Sequence, residues 1–108
     1  MTKRPIAFRR KALEDIGDIV QYLAVESPRA ARDFRAALEH ACELLGDMPE
    51  IGMLRSFGHP NLTDLRLWPL KRFEKYLLVY RTQAGTIDVI RVLPGARDLP
   101  ALFQEPDG

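Results

Sequence analysis

Apolar residues recur at spacings of three and four along Ala12, Leu13, Ile16, Ile19, Val20 and Leu23, with Glu14, Asp15, Asp18 and Gln21 between them. That period predicts an amphipathic helix with its acids on the solvated side. Ser27-Pro28 then supplies an N-cap and a proline at the first helical position. A second stripe follows, Ala30, Phe34, Ala37, Leu38, Ala41, Leu45 and Met48, which should end before Pro49. With so short a joint, the two helices must fold back as an antiparallel hairpin.

Before the helices, Pro5-Ile6-Ala7-Phe8 is short and β-favouring, with the proline tolerated at a strand start or edge. After them comes a loop rich in Gly, His, Pro and Asn, from Ile51 to Asn61, and then three β-like runs: Leu65 to Leu70, Lys75 to Arg81, and Thr86 to Leu93. The connectors Lys71 to Glu74 and Thr82 to Gly85 have hairpin length. The predicted fold is therefore α+β in the order β-α-α-β-β-β. A helical hairpin between residues 11 and 49 packs on one face of a small, mainly antiparallel sheet from residues 64 to 93, which the first strand joins. Residues 1–108 read as one domain, with no internal repeat or linker. If Leu65 and Leu67 face the helices, then Arg66 and Trp68, with some of Tyr76, Tyr80, Arg81 and Arg91, line the open face. A one-residue slip in register inverts this assignment.

At 108 residues, 46% hydrophobic and 29% charged, the composition is that of a folding chain. No apolar run approaches membrane-spanning length, and the first residues lack a signal-peptide core, which predicts a cytoplasmic protein without membrane contact. The lone Cys42, inside a helical pattern, reads as a small buried hydrophobe. The net charge of +1 conceals a segregation. Residues 1–11 carry five bases and no acid, residues 12–52 carry nine acids against three arginines, and residues 53–98 carry eight bases against four acids. Such a field suits a polyanion or an acidic peptide as partner, and also serves solvation.

Neither His40 nor His59 has metal ligands at a suitable spacing, so no metal is expected. No phosphate loop, nucleophile elbow or Cys/His pairing is present, so no cofactor or acyl-transfer chemistry is expected either. Arg66, Trp68, Lys71, Arg72, Tyr76 and Arg81 interleave bases with aromatics, which suits phosphate contact and base stacking. It equally suits core rings with arginines on a rim.

Four stretches in this order resemble the RelE/ParE toxin superfamily: A-L-E-D-I-G-D-I-V-Q-Y-L; S-P-R-A-A-R-D-F; M-P-E-I-G followed by D-L-R; and Y-L-L-V-Y-R followed by I-D-V-I-R-V-L-P-G-A-R-D. With the order of elements, the resemblance covers residues 6 to 98. The resemblance implies the toxin half of a type II toxin–antitoxin pair, a plasmid-stabilization type of system in which the free toxin arrests growth and an antitoxin wraps and neutralises it. Two activities occur in the superfamily. RelE-like members cleave messenger RNA on the ribosome, with basic residues and a tyrosine or histidine near the sheet and C-terminus, whereas ParE-like members poison DNA gyrase.

In this chain the motif that often reads V-x-H-G-x-R-D has Pro94 at the histidine position, and Leu99 to Gly108 contain no base, His or Tyr. Metal-independent RNA cleavage needs one group to take the 2′-OH proton and another to protonate the leaving oxygen. A ParE-type toxin is therefore expected, with a ParD-like antitoxin and DNA gyrase as partners, and DNA met only indirectly through the antitoxin. It would act by binding, without catalytic residues. Target contact is assigned to Arg66, Lys71, Arg72, Arg81, Arg91 and Arg97, and antitoxin contact to Trp68, Tyr76 and Tyr80. The alternatives are a RelE-like ribosome-dependent endonuclease, with Tyr76, Tyr80 and Arg81 as its catalytic candidates, and a non-toxic interaction module.

Overall fold

A computed structural model describes residues 3–55 and 63–95. Strand β1 (Ile6–Phe8) leads into helix α1 (Arg10–Glu26). Helix α2 (Pro28–Asp47) follows, and then β2 (Met53–Arg55), β3 (Leu65–Leu70), β4 (Phe73–Gln83) and β5 (Thr86–Leu93). Ser27 is the whole joint between the helices. Its N–H closes α1 on the Leu23 carbonyl at 2.9 Å, and its hydroxyl accepts from Ala30 N at 3.1 Å to open α2. Pro28 stands next, where a missing N–H costs nothing.

The sheet runs β1-β5-β4-β3-β2. β1 lies parallel to β5 and all other pairs are antiparallel. The chain must traverse both helices between β1 and the sheet, and that long connection is what allows a parallel neighbour. β2 departs from the expectation of loop from Ile51 onward: three residues are too few to show alternation, yet Met53 and Arg55 pair with Leu67 and Leu65 at the sheet edge. The β4–β5 turn is Ala84-Gly85, with φ of 52° and 80°, the doubly left-handed form that follows the twist of its strands.

Both helices pack on one face of the sheet. Ala12 and Ile19 of α1 and Phe34, Leu38, Ala41 and Leu45 of α2 close over Leu70, Tyr76, Leu78, Tyr80, Ile87, Val89 and Val92, with Trp68 and Phe73 packed alongside. Leu13, counted with the α1 stripe, is 55% exposed. The expected facing of the strands is inverted. Leu65 and Leu67 form a second buried cluster with Val79, Ile90 and Leu93, apart from the helix-side core, while Trp68, Tyr76 and Tyr80 pack under the helices. The physical reason is that β3 and β4 bear apolar side chains on both faces, so alternation could not say which one met the helices.

Candidate functional site

The candidate cations separate into structural ones and displayed ones. Arg91 is only 9% exposed. Its Nε and Nη2 donate to the two carboxylate oxygens of Asp15 at 2.7 and 2.9 Å, and Val92 N donates to the same carboxylate at 3.0 Å. This is a fork-on-carboxylate pair clamping α1 to β5, and it corrects the expectation of Arg91 as an exposed contact residue. It sits where the β4–β5 register shifts between Val79 and Tyr80, a bulge that re-aims side chains. Asp15 thereby departs from the solvated acidic face that the α1 pattern predicts. It lies three residues after Ala12 and four before Ile19, so helical spacing had placed it on the buried stripe.

Arg66 is half-buried, and its Nη1 donates to the Glu50 carbonyl at 3.0 Å and the Gly52 carbonyl at 2.9 Å. It ties the end of the α2–β2 connection to β3. Arg81 is half-buried and stands opposite Asp88 in register. Asp88 accepts from Arg9 Nε and Nη2 at 3.3 and 3.1 Å. The pair leaves no local signal in the sequence, because its members lie 79 residues apart.

Lys71 and Arg72 are exposed at the β3–β4 turn. Arg72 N donates to Glu74 Oε2 at 2.9 Å, and backbone hydrogen bonds from Arg72 and Glu74 itself hold that carboxyl below its ordinary range. Arg97 lies outside the described residues, as does His59.

The three ring positions assigned to partner contact are not displayed. Trp68 is half-buried, Tyr76 is 3% exposed and Tyr80 is fully buried. The Tyr80 hydroxyl donates to the Pro49 carbonyl at 2.8 Å and accepts from Gly52 N at 3.0 Å. Burial pushes its pKa up, against the opposing pull of the Gly52 hydrogen bond and Arg66. Gly52 is required by this approach: a Cβ there would stand 2.7 Å from the tyrosine oxygen. Tyr76 meets Phe34 edge-on at 5.3 Å between centroids. Cys42 is partly buried against the core, which pushes its thiol up to about 11.

Chemically, this arrangement offers charge and shape. Among the described residues no group of three side chains could hold a metal ion, and no helix is long and apolar enough to cross a membrane. The Tyr80 hydroxyl has its proton and an acceptor lone pair already committed, which leaves a poor proton-transfer group.

The fold is that of a known class. It superimposes with a TM-score of 0.66 on a solved chain titled "Chromosomal ParDE TA system from P. aeruginosa", at 20% identity over 83% of this chain and 94% of that one. No curated protein sequence matches the chain. The family described as ParE toxin of type II toxin-antitoxin system, parDE, matches residues 6–99. The chain belongs to the ParE toxin family.

Proposed function

We propose that this toxin inhibits DNA gyrase by binding it, that free toxin arrests growth in the cytoplasm, and that a ParD-like antitoxin neutralises it. The observation that carries the reading is the state of Tyr80 in a chain of the ParE family. Tyr80, a catalytic candidate of the nuclease alternative, is buried, with its hydroxyl donating to Pro49 and accepting from Gly52. Tyr76 is buried too, and Pro94 cannot transfer a proton. Of the three groups a RelE-like alternative would recruit, both tyrosines are held in the core and only Arg81 remains, whereas action by binding requires no proton-transfer group.

The displayed cations Lys71 and Arg72 are the target-contact candidates that stand exposed, and Arg81 on the central strand β4 is half-buried. Arg66 and Arg91 act by holding the scaffold. The antitoxin is expected to bury apolar side chains beside the helix pair and to set acids against the basic sheet half. Because such a segment orders on binding, its affinity must come from a large interface. Expression tests the pairing: the chain alone should arrest growth, and co-expression of a cognate ParD-like antitoxin should restore growth. A benign outcome at verified expression would favour a non-toxic interaction module.

A further inference from the structure

The β3–β4 hairpin closes at the Leu70–Phe73 pair, leaving Lys71-Arg72 as a two-residue turn. Arg72 has φ of 74°, in the left-handed region where a Cβ crowds the following carbonyl oxygen and where glycine fits without cost. Glu74 secures the strained peptide by accepting from Arg72 N at 2.9 Å. The one acid of the tip is thus directed onto the backbone. Among the described residues, the side chains of Lys71 and Arg72 form no ion pair. Lys75 adds a third exposed cation, 5.2 Å from the centroid of the Tyr76 ring. The tip is also braced from below, because Phe34 of α2 meets Phe73 edge-on at 5.7 Å and Tyr76 at 5.3 Å.

We propose that this hairpin tip, Lys71, Arg72 and Lys75, is a preorganised docking point for an acidic polypeptide segment. A backbone strained at a non-glycine residue persists where the rest of the structure over-determines it, and such residues concentrate at functional positions. Here the strained turn displays an exposed arginine flanked in sequence by two exposed lysines. A guanidinium fork matches the two oxygens of a carboxylate, and the lysines add point charge. Single-stranded nucleic acid is the poorer fit. Its recognition uses exposed rings for stacking and cations spread along a groove, but Tyr76 is buried, Phe73 is half-buried, and the charge is concentrated at one turn. The proposal rests on the reading of this chain as one that acts by binding. It does not require that the bound protein be gyrase.

The test is an NMR titration of the whole chain with a short polyglutamate peptide and, separately, a short DNA duplex at the same salt. Polyglutamate should move the amide resonances of Leu70 to Tyr76. Arg72→Gly should weaken that binding by about tenfold, equivalent to about 1.4 kcal/mol, while raising Tm, since glycine relieves the left-handed strain. Arg72→Lys should retain part of the binding. A fold-intact Arg72→Gly that binds as the wild type would overturn the proposal. So would polyglutamate that fails to bind or shifts Lys3 to Lys11 instead, or a duplex that occupies the tip more tightly than the peptide. A supercoiling assay on the same preparation reads the gyrase assignment independently, so the two can fail separately.

Discussion

Tyr80 shows how a single hydroxyl can decide between structural and chemical roles. Removing it as Tyr80→Phe keeps the ring in the core but strands the Gly52 N–H and the Pro49 carbonyl. The expected loss is about 1–3 kcal/mol, read as a lower urea midpoint. The same residue predicts a pH dependence. Burial raises the folded-state pKa above the ordinary value of 10.0, so the folded protein holds this proton more tightly than the unfolded chain. The contribution is then fully present below pH 10 and is lost as pH rises through the raised folded value. Thermal melts from neutral to strongly alkaline pH should show this loss in the wild type, and Tyr80→Phe should flatten it. An equal alkaline loss in both proteins would assign the effect to other groups. The sequence shows the tyrosine but not its partners, since Pro49 and Gly52 meet it only after the α2–β2 connection folds over β3.

At the scale of elements, the Asp15 clamp joins α1 to the bulged part of β5. Asp15→Ala would leave the Arg91 guanidinium buried without its carboxylate, and breaking such a pair costs about 3–5 kcal/mol. We expect a fall in the urea midpoint of that order, far larger than for Asp18→Ala on the exposed side of the same helix. Comparable losses from the two variants would contradict the clamp. The helices were legible almost to the residue, because a 3.6-residue stripe, the Ser27-Pro28 signature and Pro49 act over a few positions. The order of the longer strands was legible for similar reasons.

The strand faces were not, because period-two patterning marks a face only when the other face is polar. From Leu77 to Tyr80 every side chain is apolar or aromatic, and the two sides of β4 feed separate apolar clusters. β2 escaped because its pairing is set by β3, with too few residues of its own to carry a pattern. Of the candidate site, the exposed turn at Lys71 and Arg72 could be read as a basic hairpin connector. Its left-handed arginine could not, since nothing in residue type favours that conformation.

For the whole molecule, the charge segregation acquires a physical arrangement. Bases at the N-terminus and acids on the helices partly satisfy one another, as in Lys3–Asp47 at 3.8 Å and Lys11–Glu14 at 3.8 Å. These are exposed pairs of small energetic value. The better-buried pairs, Arg9–Asp88 and Asp15–Arg91, lock β1, α1 and β5 together. The scaffold thus consumes several of its cations internally and displays others at the hairpin tip. Membership in the ParE family and this division of labour support a toxin that works by contact. The most direct test runs two reactions on one preparation of purified chain: gyrase-dependent DNA supercoiling and ribosome-dependent messenger RNA cleavage. Inhibited supercoiling with intact RNA is the expected result, and cleaved RNA with supercoiling untouched would contradict a toxin that acts by binding gyrase.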